Sequence, residues 1–268
     1  MGPVDRLAAQ APSELMRERA EFADWLERAP GSPFRALVQQ PIGPGIRLGP
    51  VNADVVLVGV EARLEQRGGA VMLIVGGEGA GRPVGRDRLT PLGKYQLSVG
   101  GLPGQAVATV FGPDARAFVP PSHYPYGPTW RLTTTLTPAD QPRAHRILAP
   151  DGVEVEATEA GSVTVSVGGK PITLRVFRIP TPGGEESELE VYFRDGTNGR
   201  GSYPAGRFVS LVPAGEGRYL LDFNRARNPF CAYSTVYPCP APWRGNTIPV
   251  GIEAGEKYAG GGLSKPPG

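Results

Sequence analysis

The sequence predicts a mainly β protein: antiparallel, sandwich- or barrel-like β modules preceded by one N-terminal α-helix. Three observations predict it. From residue 46 onward, apolar residues alternate with polar ones over one short run after another. Gly and Pro, 38 and 30 of 268 residues, break these runs at turn spacing. No helical stretch separates one strand pattern from the next, so parallel crossovers are lacking and the strands should pair antiparallel.

Taken in order, residues 1–12 read as a loose tail. Ser13 stands where a helix N-cap is favoured, and Leu15, Met16, Phe22, Trp25 and Leu26 recur at helical spacing up to about Arg28. Pro30, Gly31 and Pro33 end that helix. "VVLVGVEARL" (55–64), "AVMLIV" (70–75), "KYQLSV" (94–99) and "AVATVF" (106–111) read as strands, and "PDARAFVPPSHYPYGPTW" (113–130) as a connection. In "SVTVSV" (162–167) Val163, Val165 and Val167 alternate with Ser and Thr, and "GGK" (168–170) turns the chain into "PITLRVFRI". "ELEVYF" (188–193), "RFVSLV" (207–212), "RYLLDF" (218–223) and "TIPVGIEA" (247–254) continue the second β series. The predicted organisation is a tail and helix over 1–44, an N-terminal β module over 45–117, a C-terminal β module over 118–258 and a flexible tail over 259–268.

Composition excludes several functions. Net charge is +2 with mixed signs, and no Lys/Arg block forms a nucleic-acid stripe. No run approaches the length of a membrane span. The first thirty residues are rich in charge (Asp5, Arg6, Glu14, Arg17, Glu18, Arg19, Glu21) and contain no apolar leader, which predicts a cytoplasmic protein. No cofactor motif survives inspection. "VGGEGAGRPVG" (75–85) has glycines at P-loop spacing, but Arg82 and Pro83 stand where Lys and Ser/Thr are needed, and no helix follows. His123 reads as packed among loop aromatics and His145 as solvent-exposed. Cys231 and Cys239 fit no zinc spacing, so no metal site is expected.

Polar residues gather in "YFRDGTNGRGSYPAGRFVSL" (192–211) and "YLLDFNRARNPFCAYSTVYPCPAPW" (219–243). Asp195, Thr197 and Asn198 can all close turns. Arg194, Arg207, Arg225 and Arg227, with Asp195 and Asp222, converge either as an internal Arg–Asp network or as an anion pocket. The candidate ligand-binding residues are Arg194, Asp195, Thr197, Tyr203, Arg207, Asp222, Asn224, Arg225 and Asn228, and the natural ligand of such a set is a small anion. Cys231 and Cys239 form a candidate thiol pair: small core residues, a disulfide, or a redox site.

The same block resembles a family of bacterial and archaeal proteins of unknown function, DUF1684. The resemblance rests on Phe193-x-Asp195-x-Thr197-x-Gly199, Tyr203-x-x-Gly206-Arg207, and Leu221-Asp222-Phe223-Asn224-x-Ala226-x-Asn228-Pro229-x-Cys231-Ala232-Tyr233. It continues in Cys239-Pro240, Asn246 and Ala254-Gly255-Glu256-Lys257. It is strong over 189–258, weaker over 118–188 and loose before that. It implies a β-rich fold and no established activity. The chain departs from the family pattern at Arg227, Pro204 and Trp243-Arg244-Gly245, beside the candidate pocket. Three readings follow: a small-molecule binder, an interaction module without chemistry that uses the N-terminal β segment, and a thiol site.

Overall fold

The computed structural model describes residues 11–76, 79–114, 117–181 and 187–258. The two tails expected at the chain ends fall largely outside these residues. The helix α1 spans Ser13–Arg28. Ser13 opens it rather than capping it; Pro12 precedes it and no side chain caps its N–H groups. Its buried residues are Leu15 and Leu26, whereas Met16 and Trp25 are exposed, so the buried stripe is narrower than the spacing predicts.

Sixteen strands follow among the described residues. The first nine are β1 (Ala36–Pro41), β2 (Ile46–Gly49), β3 (Val55–Val56), β4 (Ala62–Arg67), β5 (Ala70–Val75), β6 (Arg82–Val84), β7 (Thr90–Leu92), β8 (Tyr95–Leu102) and β9 (Gln105–Phe111). They form one sheet in the order β1–β9–β8–β7 and another in the order β3–β2–β4–β5–β6. Leu48, Leu64, Leu73, Leu97, Val99 and Val110 fill the core between them. The strand predicted over 55–64 is broken: β3 and β4 are separate, because the chain turns at Val58–Gly59 and Val58 is exposed. β1 lies in a stretch where no strand is predicted, since two glutamines interrupt its apolar pattern. β5 and β6, on either side of the Gly-rich stretch, pair antiparallel with Val71 facing Val84; residues 77 and 78 of that stretch lie outside the described residues.

The remaining strands are β10 (Arg131–Pro138), β11 (Ala144–Leu148), β12 (Glu154–Val167), β13 (Lys170–Pro180), β14 (Ser187–Phe193), β15 (Arg207–Gly215) and β16 (Arg218–Asp222). They run in the order β10–β16–β15–β14–β13–β12–β11, and β10 also pairs with β12. That extra pairing closes six strands into an antiparallel barrel and leaves no free edge on the ring. Alternation sets its interior: Val163, Val165, Val167, Leu174, Val176, Val191, Phe193, Val209, Leu211 and Leu221 point inward and are buried. The β12–β13 hairpin turns at Gly168 and Gly169, with φ of 58° and 76°, the left-handed pair that a two-residue turn requires.

A second apolar layer coats the outside of this barrel. Phe177, Ile179, Tyr192 and Phe208 project outward and pack with Trp243. Tyr192 stacks on Phe208 at 4.1 Å between ring centroids. The strand predicted over 247–254 does not form. Thr247 makes a single bridge to Arg194, and the segment otherwise runs irregularly along the barrel. The Ile252 and Ala254 carbonyls accept from a side chain, Arg207, and the Val250 carbonyl accepts from the Gly196 N–H.

Candidate functional site

The polar residues singled out in the sequence separate into clusters. Arg207 and Asp195 face each other at 2.9 Å with no side-chain exposure. The guanidinium also donates to the carbonyls of Ile252, Ala254 and Glu256. Asp195 accepts from the Thr197 backbone N–H at 2.7 Å, the Thr197 hydroxyl at 2.6 Å and the Ile252 N–H at 3.1 Å. The pair staples segment 252–256 to the end of β14 and the start of β15. Arg194 stands apart, with its side chain exposed.

Asp222, Asn224 and Arg225 form a second cluster under α1. Arg225 donates to Asp222 at 2.7 Å and to both carboxylate oxygens of Glu18 at 2.8 and 3.1 Å. The Asn224 amide pairs with both backbone groups of Gly127, and Arg19 donates to the Asn224 carbonyl. Asn228 belongs to a third: its N–H donates to Glu256, which also accepts from Tyr233. Burial raises the Glu256 carboxyl above its ordinary range. Beside these groups lies a cavity of about 40 Å³ lined by Arg19, His123, Arg225 and Glu256. It is water-sized rather than ligand-sized. Burial next to Arg19 pushes His123 down to about 4. His145 is half-buried rather than solvent-exposed, with its ring edge-on to Phe177 at 5.2 Å. Among the described residues no three His, Cys, Asp or Glu side chains assemble as a metal-binding group.

Cys231 and Cys239 are free thiols, the first buried and the second exposed. Both touch Tyr203, whose hydroxyl donates to the Cys231 carbonyl at 3.1 Å and lies 3.2 Å from Cys239 Sγ.

The large cavity lies elsewhere. A cleft of about 610 Å³ opens between the β1–β9–β8 sheet, the end of α1 and the outer face of the barrel. Its walls combine aromatic residues (Trp25, Phe111, Phe230, Tyr237) with four carboxylates: Asp87, Asp151, Glu188 and Glu190. Glu190 is 9% exposed and accepts one hydrogen bond, from Ser210 at 2.7 Å. Burial, with Glu188 adding a like charge, raises it to about 7 despite Arg227 nearby. Asp151 sits in a turn where its carboxylate accepts from the Val153 N–H; burial and then Asp87 raise it to about 6. A smaller cavity of about 170 Å³ shares Pro150, Glu188, Glu190 and Phe230 with the cleft and adds Arg225 and Arg227.

The sequence reasoning missed Glu190, Glu188 and Asp151. One signal was present. In "ELEVYF" alternation places Glu188, Glu190 and Tyr192 on a single face, and a tyrosine beside two carboxylates marks that face as partly covered. Asp151, in a turn, gave no such signal.

Barrel, outer apolar layer and carboxylate-lined cleft together define a mainly β protein with a small-molecule-sized cavity on its flank. Residues 116–257, more than half of the chain, match the family described as "Protein of unknown function (DUF1684)", and the chain belongs to that family. Among solved structures it is similar to the solution NMR structure of an uncharacterized protein from Haloarcula marismortui. The two are 31% identical over 52% of this chain and 77% of that one, with a TM-score of 0.46. No curated protein matches the chain.

Proposed function

We propose that the protein binds a small organic cation, an amine with an apolar body, in the cleft of about 610 Å³. The single observation that carries this reading is the lining. Four carboxylates face the space, and no Lys, Arg or His is among its described lining residues, although the chain as a whole is net positive. Aromatic rings beside carboxylates suit an organic cation twice over, through charge and through the ring faces. With 45–117 and 118–258 read as two units, the cleft lies between them, a common place for a ligand. A small anion is less well served, because Arg207 and Arg225 are both engaged in internal ion pairs. On this reading the protein works in the cytoplasm, where its free thiols are at home.

Calorimetry with phenethylamine and spermidine, against benzoate and inorganic phosphate as anionic controls, tests the proposal. The expected result is saturable binding of an amine that weakens in Asp151→Asn/Glu190→Gln and strengthens as pH rises through the range 6–7, where the two carboxyls lose their protons. Binding of the anions alone, or amine binding indifferent to both substitutions, overturns it. No binding of any probe, together with a protein partner whose capture depends on residues 45–115, favours an interaction module instead.

A further inference from the structure

The cleft does not use the two cysteines, and their arrangement is more specific than small core residues require. They are the only cysteines in the chain. The turn Phe230–Ala232 and the loop after it bring both residues to one group, the Tyr203 hydroxyl, 3.1 Å from the Cys231 carbonyl and 3.2 Å from Cys239 Sγ. Just beyond Cys239, the Pro240 carbonyl accepts from the Tyr192 hydroxyl at 2.9 Å, which holds the second thiol in place. Two cysteines gathered about one tyrosine hydroxyl, with no third ligand among the described residues, suit oxidation to a disulfide better than metal binding.

We infer that Cys231 and Cys239 are a site of reversible oxidative modification, closing an intramolecular disulfide when a peroxide reaches the exposed Cys239.

The asymmetry of the pair orders the steps. Cys231 is 3% exposed, packed with Ala36, Phe111, Tyr203 and Tyr237. Cys239 is open to solvent and meets the oxidant first. Its sulfur attacks the peroxide O–O bond; that bond breaks, the distal oxygen stays as a sulfenic acid, and the thiol proton leaves on the alcohol or water released. Cys231 Sγ then attacks the sulfenic sulfur, the S–O bond breaks, and the departing hydroxide takes the Cys231 proton as water. Each sulfur gives up one electron and the peroxide takes both. A reducing dithiol restores both thiols by exchange and is itself oxidised to a disulfide.

The surroundings also set the tempo. Arg225 is held by Glu18 and Asp222, and Arg227 lies over the Phe22 ring at 5.0 Å, so neither guanidinium is placed to activate a thiol. Burial pushes the Cys231 thiol up to about 12, which makes the second step slow at neutral pH. Such a pair responds to sustained peroxide and is not a rapid peroxide scavenger. The loop that the disulfide would close carries Tyr237, and Phe230 lies immediately before it; both are on the cleft wall.

The test is thiol titration and intact mass on the full chain, before and after hydrogen peroxide and again after dithiothreitol. The expected result is two free thiols in the reduced protein, none after peroxide, a monomer lighter by two hydrogens, a mapped Cys231–Cys239 peptide, and full recovery on reduction. Cys231→Ala should instead gain oxygen at Cys239. Because the wild-type peptide map needs no variant, misfolding of Cys231→Ala leaves the inference testable. Oxygen addition to wild type without cross-linking, a disulfide between two chains, or two thiols that survive peroxide overturns it.

Discussion

Glu190→Gln separates what the cleft costs from what it does. Glu190 is 9% exposed, has one hydrogen-bond donor in Ser210, and faces Glu188 on its own strand with Arg227 across the smaller cavity. Its carboxyl rises from the ordinary 4.5 to about 7 because burial penalises the charged form. The folded protein therefore keeps a proton that the unfolded chain releases. Below about pH 4.5 both states are protonated and the group contributes nothing. Between about 4.5 and 7 stability falls as pH rises, and above about 7 the loss is complete. At about 1.4 kcal/mol per pH unit the loss reaches about 3 kcal/mol as an upper bound, and water entering the cleft reduces it to about 1–2 kcal/mol. Glutamine keeps the shape and an oxygen for Ser210 but carries no charge. Urea unfolding should then show the variant about 1–2 kcal/mol more stable than wild type at pH 8 and equal to it near pH 4, with unchanged m-value. The same variant should bind amines more weakly, a trade of function for stability. Equal stability at pH 8, or a gap that persists undiminished at pH 4, refutes the account of Glu190 as a desolvated carboxyl.

Two further substitutions probe the scaffold. Arg207→Met leaves Asp195 buried without its cation and withdraws the donors to the carbonyls of Ile252, Ala254 and Glu256; the expected loss in urea unfolding is about 3–5 kcal/mol, and a loss below about 1 kcal/mol refutes the staple. Gly161 sits where β12 meets Pro138 of β10, at φ 143°, and a Cβ there would lie 2.0 Å from the Thr137 carbonyl oxygen. Gly161→Ala should abolish the near-UV circular dichroism of a packed barrel, and a wild-type melting curve would show that this closure is not needed.

The β series were readable because a half-buried strand writes its two faces into alternate residues. Val163, Val165 and Val167 point inward as their spacing implies. What escaped depends on distant partners. "TIPVGIEA" has a strand's composition, yet the carbonyls of Ile252 and Ala254 are taken by a guanidinium on β15, which no local pattern encodes. The closure of the barrel rests on one glycine whose role appears only when β10 lies beside it. Arg207, Asp195, Arg225 and Asp222 were conspicuous as polar residues in apolar surroundings, but the sequence could not say that Arg207 pairs with Asp195 and Arg225 with Asp222.

Glu188 and Glu190 invert that case. Charges on the outward face of a strand ordinarily mean solvent, and these become a cleft wall only because a second set of sheets stands opposite. The division of labour is informative. Asp151, Glu188 and Glu190 lie within the family segment, 116–257, whereas Gln39, Ser98, Thr109 and Phe111 come from the strands before it. Most of the acidity thus belongs to the barrel side, and the opposite wall to the N-terminal sheets. If the charge of the ligand is read by one side and its apolar body by the other, Phe111→Ala should change which amines fit and leave the preference for cations intact. Glu190→Gln should do the reverse, weakening every amine while preserving their order. A Phe111 variant that loses charge selectivity would show that the two walls do not act separately.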